Sequence, residues 1–131
     1  MESFKVKTGR RAEIVDITAQ VQGVVRGSGI SKGVCHIYVP HTTAGLTINE
    51  NADPAVPADI IAHLEKLVPR SGGYRHAEGN SDSHIKASMM GFSETVLVEN
   101  GALVLGTWQC VYFCEFDGPR NRTVYVQVIA A

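Results

Sequence analysis

One run near the C-terminus, Trp108-Gln109-Cys110-Val111-Tyr112-Phe113-Cys114-Glu115-Phe116-Asp117, limits what this chain can become more than any other stretch. Successive side chains of a strand point to opposite faces. Trp108, Cys110, Tyr112, Cys114 and Phe116 then form an unbroken apolar stripe, which puts Trp108 in the core. Gln109, Val111, Phe113, Glu115 and Asp117 share the other face. A solvated face rarely carries Val and Phe between its polar residues, and a core face rarely carries Glu and Asp without partners. The mixed face reads as the floor of a pocket. Past Gly118-Pro119, Arg120 and Arg122 suit bidentate binding of phosphate, against the plainer reading of a polar hairpin loop.

The rest of the chain supplies short strands and a few helices. Lys5-Val6-Lys7 and the 12–17 run read as two strands around a Thr8-Gly9-Arg10 turn. Thr18 caps a short helix with Val21, Val24 and Val25 at helical spacing, ending near Gly27 and Gly29. Residues 33–39 form a β-branched strand ended by Pro40, and 45–50 are extended. Asp53-Pro54 starts a helix whose Val56, Ile60, Ile61, Leu64, Leu67 and Val68 line one face until Pro69. A polar loop covers 70–82, and a second short helix runs from about Ser83 to Met90. Strands at 94–98 and 102–105 flank Asn100-Gly101, the strongest local hairpin signal. They are apolar on both faces, as for strands buried on both sides, one side being a candidate subunit interface. The last strand is Thr123 to Ile129. The pattern predicts one α+β domain over 1–131, a mainly antiparallel core with two or three helices.

Bulk properties narrow the function classes. At 131 residues the chain can bury a core without staples. A formal net charge of −1 gives no argument for nucleic-acid or anionic-membrane partners. No apolar run approaches the ~18 residues of a membrane helix, and the start lacks signal-peptide character. A cytoplasmic protein is the expectation. The three cysteines, Cys35, Cys110 and Cys114, agree with it. On an extended strand Cys110 and Cys114 stand roughly 13 Å apart, too far for a disulfide or a shared metal. They read as reduced, buried thiols.

Five histidines remain. His63 reads as packing at a helix margin and His36 as a hydrogen-bonded core residue. His41 opens His41-Thr42-Thr43 in a loop after a strand, and His76 and His84 bracket a stretch nearly free of apolar anchors. Neutral imidazoles with a carboxylate are donors for a divalent ion, Zn or Mg. Spacing alone favours exposed or hydrogen-bonded loop histidines over that metal site. Asn49, Glu50 and Asn51 gather just before the helix start at Asp53, an anion site or simple capping.

Four separated motifs point to a known family: His41-Thr42-Thr43-Ala44-Gly45-Leu46-Thr47-Ile48-Asn49-Glu50-Asn51; Tyr74-Arg75-His76 with 78–84; Leu105-Gly106-Thr107-Trp108-Gln109; and Glu115-Phe116-Asp117-Gly118-Pro119-Arg120. From about Gly33 onward the chain resembles the YjbQ family, also called the secondary thiamine-phosphate synthase family. The resemblance implies a β-sandwich-like α+β subunit assembled as a homotrimer, with a pocket built from these motifs. Ser81 and Ser83 depart from the Ala common at those positions, and Gly45 from a second Ala.

The resemblance also implies a weak transferase activity joining hydroxymethylpyrimidine pyrophosphate to a thiazole phosphate. In that reaction Arg120 and Arg122 would neutralise the leaving pyrophosphate. Glu50, Asp82 or an ion held by His41, His76 and His84 would bridge phosphates. Asn49, Gln109 and Glu115 would orient polar ring atoms. The alternatives are a trimeric binding module for a phosphorylated metabolite or a metal ion, and a metal-dependent hydrolase. All these readings need residues 41–50, 76–84 and 109–122 to enclose one charged cavity.

Overall fold

β-Branched alternation lays out most of the framework. In the computed structural model, which describes residues 1–131, eight strands and three helices follow one another. They are β1 (Glu2–Lys7), β2 (Glu13–Asp16), α1 (Thr18–Ser28), β3 (Gly33–Tyr38), β4 (Ala44–Glu50) and α2 (Ala55–Leu67). Then come α3 (Ser81–Met90), β5 (Ser93–Glu99), β6 (Ala102–Leu103), β7 (Gln109–Glu115) and β8 (Asn121–Ala130). A five-stranded sheet in the order β1-β8-β3-β5-β6 faces a three-stranded sheet in the order β2-β7-β4, and every pairing is antiparallel. The expected α+β architecture is present.

The main core lies between the sheets. Val6, Cys35, Ile37, Val96, Val98, Val124, Val126 and Val128 enter from the large sheet, and Leu46, Val111 and Phe113 from the small one. Val21 and Val25 of α1, with Ile17 just before it, close the core. A second layer covers the far side of β7, where Cys110, Tyr112, Cys114 and Phe116 meet Leu64 of α2 and Ala87 of α3. β7 is therefore covered on both faces, which explains why both parities of its sequence hold large apolar groups. All three cysteines are free and buried, as expected.

Local chemistry sets the ends of these elements. Asp16, not Thr18, caps α1: its Oδ1 accepts the Thr18 N–H at 2.9 Å and the Thr18 hydroxyl at 2.6 Å. Gly29, at φ 70°, closes that helix. Asp53 Oδ1 accepts the Ala55 N–H at 2.9 Å at the start of α2. Asn100 and Gly101 both take positive φ, 52° and 73°, which joins β5 to β6 tightly.

Several expectations give way to tertiary context. β1 and β2 are not a hairpin, because β1 pairs with β8 and β2 with β7, so the Thr8-Gly9-Arg10 turn carries the chain between sheets. Trp108 is 62% exposed: the strand begins only at Gln109, and Trp108 sits in the turn before it. His36 lies on the exposed outer face of the large sheet, its Nδ1 2.8 Å from Thr95 Oγ1. His63 is exposed, and Leu67 turns away from the face that buries Leu64 and Val68. Within one chain Leu97 of the expected two-faced hairpin is 62% exposed. No helix is long and apolar enough to cross a membrane.

Candidate functional site

Three chain crossings between the sheets meet at one rim of the sandwich: β1 to β2, β3 to β4, and β7 to β8. A buried ion pair ties them. Glu115, fully buried, reaches from the small sheet to buried Arg122 on the large one. Arg122 Nε donates to Glu115 Oε2 at 2.7 Å, while its Nη2 donates to Oε1 and, at 2.9 Å, to Thr43 Oγ1. The Thr8 hydroxyl donates to Oε2 at 3.0 Å and the Asp117 N–H to Oε1 at 2.9 Å. Both carboxylate oxygens are thus occupied by donors, the condition under which a buried charge pair is tolerated. This corrects the substrate-binding expectation for Glu115 and Arg122. The strand parity holds, but the shared face is the sandwich interior, and the two groups bind each other.

Gly118 completes the rim. A Cβ there would stand 2.2 Å from the Arg10 carbonyl oxygen, so only glycine lets the two crossings approach. Its N–H donates to the Arg11 carbonyl at 3.0 Å.

Asp82 is equally inaccessible. It sits buried in the first turn of α3 between two cations: Arg11 Nη1 and Nη2 donate to its two oxygens at 3.1 and 3.0 Å, and Lys86 Nζ at 2.9 Å. Lys86, also buried, donates to Glu65 Oε1 of α2 at 2.9 Å. Burial alone would raise the Asp82 carboxyl, but the hydrogen bonds and charges of Arg11 and Lys86 outweigh it and hold the group down at about 2. At neutral pH Asp82 is an ionised anchor of α3, not the phosphate-bridging catalytic group the sequence suggested. Arg11 and Lys86 escaped sequence reasoning because their partner lies far along the chain for one and within a helix of weak amphipathicity for the other.

Above these buried pairs lies an accessible layer. Asp117 Oδ2 accepts Asn80 Nδ2 at 2.8 Å and Arg120 Nη2 at 3.0 Å, and Arg120 Nε donates to the Asp117 carbonyl at 2.8 Å. Burial works to raise the Asp117 carboxyl, yet the donors Asn80 and Arg120 leave it below its usual range. Lys7, Thr8, Pro119, Arg120 and Asn121 line a cleft of about 330 Å³ beside this pair.

The histidines divide. His76 Nδ1 lies 2.7 Å from Ser81 Oγ, and the His76 and His84 rings meet edge to face, 5.3 Å between centroids. His41 is elsewhere: its Nε2 accepts the Thr123 N–H at 2.9 Å. Burial and the nearby Arg122 lower its pKa, which keeps the ring neutral and in that role. Within one chain His41 stands apart from the His76–His84 pair, and no group of three or more His, Cys, Asp or Glu suited to ligation gathers.

Glu50, Asn49 and Gln109 occupy the opposite rim. Glu50 pairs with Gln109 at the start of β7, six residues from Glu115, or roughly 20 Å along the strand. Between them the interior is filled by Val111 and Phe113. Gln109 Oε1 accepts the Gly106 N–H at 2.8 Å, and Asn49 Oδ1 the Glu50 N–H at 2.7 Å. The expected single cavity is therefore split within one chain. The structure joins residues 41–43, 80–83 and 115–123 at one rim and leaves 49, 50 and 109 at the other.

The UPF0047 protein YjbQ-like family matches residues 2–131. The chain belongs to the YjbQ/UPF0047 family. It is 51% identical to a UPF0047 protein of Methanocaldococcus jannaschii over 96% of this chain and 91% of that one. It is 48% identical to YugU of Bacillus subtilis over 98% of both. Among solved structures, a YjbQ/UPF0047 family protein of Clostridium acetobutylicum superposes with a TM-score of 0.97 at 52% identity, covering 98% and 100% of the two chains. A protein of Sulfolobus solfataricus described as YbjQ-like gives 0.95 at 34% identity, covering 99% and 96%. The YjbQ/UPF0047 fold is thereby shared over nearly the whole chain. None of these names states an activity.

Proposed function

We propose that the chain binds a phosphorylated small molecule, its phosphate seated in the Lys7–Arg120 cleft. The reaction this binding serves, on the family resemblance, is transfer of the hydroxymethylpyrimidine group from its pyrophosphate to a thiazole phosphate. One observation supports the reading: the cleft is lined by two cations, Lys7 and Arg120, and by the Asn121 amide, with no carboxylate among its lining residues. Asp117 occupies Nη2 of Arg120 and the Asp117 carbonyl its Nε, so the guanidinium is oriented before any ligand arrives. A preorganised fork loses less freedom on binding an anion. Departing pyrophosphate needs such fixed positive charge.

Calorimetric titration with pyrophosphate tests it. Lys7→Ala and Arg120→Ala should each weaken binding about tenfold, roughly 1.4 kcal/mol, and Arg120→Ala should slow thiamine-phosphate formation about 10²-fold. Unchanged pyrophosphate affinity in both variants refutes the site.

The same reading includes a homotrimer. Leu97, Val34 and Ile129 stand side by side on the outer face of the large sheet, an apolar patch with no cover from its own chain. Sedimentation equilibrium should give three times the chain mass, and Leu97→Glu should lower it; a monomer at every concentration removes this element.

A further inference from the structure

The loop between α2 and α3 builds a second cleft, of about 240 Å³, whose walls include Arg70, His76, Gly79 and Ser81. Neither Lys7 nor Arg120 lines it. The loop is shaped by its own side chains. Tyr74 lays its ring against Gly72, where a Cβ would come within 2.6 Å of it, and its hydroxyl donates to the Pro69 carbonyl at 2.5 Å. Arg70 Nε donates to the Gly79 carbonyl at 3.4 Å, and its two terminal nitrogens make no hydrogen bond to the chain.

Inside this frame three groups stand in a catalytic order. Ser81 Oγ is 2.7 Å from His76 Nδ1, and His76 Nε2 faces the Glu78 carboxylate at 3.7 Å. A carboxylate beside Nε2 favours the tautomer with its proton there, which leaves the Nδ1 lone pair directed at the serine hydroxyl. The His84 ring, 5.3 Å away, packs edge to face with the imidazole. Ser81 is also the first residue of α3, a helix without a side-chain cap. The Ser81 N–H has no intrahelical acceptor and belongs to a residue of the cleft wall, where it can donate to an oxyanion. The single hydroxyl proton has two acceptors on this residue, Nδ1 and the His76 carbonyl oxygen at 3.2 Å, and the general-base role requires it on Nδ1.

We propose that Ser81 is a catalytic nucleophile and His76 its general base, in hydrolysis of small carboxylic esters that carry a negative charge. Ser81 Oγ bonds to the ester carbonyl carbon as its proton passes to His76 Nδ1. The carbon–oxygen bond to the alcohol breaks, and the alcohol leaves with that proton. Water then attacks the acyl-serine and gives a proton to Nδ1. The Ser81 oxygen departs with it, and the carboxylic acid is released. The free terminal nitrogens of Arg70 match the negative charge on the substrate.

A fluorophosphonate probe and 4-nitrophenyl succinate test this on the intact chain. The probe should add one phosphonyl group, located by tandem mass spectrometry on Ser81. The wild type should hydrolyse the ester above the uncatalysed rate, with Ser81→Ala and His76→Gln each losing about 10²-fold or more. Arg70→Gln should raise KM for the succinate ester and leave that for the uncharged 4-nitrophenyl acetate alone. An adduct on any other residue, no adduct, or full hydrolysis by Ser81→Ala overturns the assignment. Mapping the adduct in the wild type needs no variant to fold. The pyrophosphate titration is judged on Lys7→Ala and Arg120→Ala, which leave the Arg70 cleft intact, so the two proposals fail separately.

Discussion

Removing Arg122 while keeping Glu115 should be among the most damaging single changes in this chain. Arg122→Ala deletes both donors to the Glu115 carboxylate from the opposite sheet, together with the bond to Thr43. Only the Thr8 hydroxyl and the Asp117 N–H remain on a carboxylate with no exposed surface. Breaking a buried pair from one side costs about 3–5 kcal/mol. For a domain of this size each kilocalorie corresponds to roughly 3–5 °C in Tm. Urea unfolding at fixed protein concentration measures the loss as a lower midpoint at unchanged slope. The decisive comparison is Glu115→Leu with Arg122→Met. Removing both leaves no unpaired buried charge, so the double variant should be within about 1 kcal/mol of the wild type or more stable. The coupling between the sites should therefore exceed about 2 kcal/mol. Additive single effects, or an Arg122→Ala loss below about 1 kcal/mol, refute the claim that the pair is a closed inter-sheet tie.

Two further outcomes follow from the same geometry. The Asp82 carboxyl sits at about 2 in the folded chain against an ordinary 3.8, so its contribution is complete above the unfolded value and is lost as pH falls from about 4 toward 2. Urea midpoints measured across that window should fall in the wild type and flatten in Asp82→Asn; parallel curves would show that the Arg11 and Lys86 contacts carry no linkage. Trp108, the sole tryptophan, should show the emission of a solvent-exposed indole and ready quenching by acrylamide. A blue-shifted, unquenched signal would mean that its exposure in the single chain is covered in solution.

Element types were legible in the sequence because their signals are local. The Asn100-Gly101 turn, the Asp53 cap and the valine alternation of β8 each act within a few residues. Parity along β7 also told which side chains share a face. It did not tell what lies opposite that face, because Arg122 reaches Glu115 only through the packing of two sheets. The same gap explains His36, on a strand buried on one side only, and Arg11, whose carboxylate partner is 71 residues away. Trp108 failed for a smaller reason: the alternation was extended one residue past the strand's true start. The loop around His76, nearly free of apolar anchors, is held instead by hydrogen bonds of Tyr74, Arg70 and Ser81.

The placement of the thiols gives the molecule separate chemical reporters. Cys35 belongs to the layer between the sheets, whereas Cys110 and Cys114 belong to the layer under α2 and α3. Burial pushes the Cys114 thiol up to about 12 and Cys35 to about 11, so neither is a thiolate near neutral pH. Alkylation must wait for an opening motion, and the identity of the first cysteine modified says which layer parted.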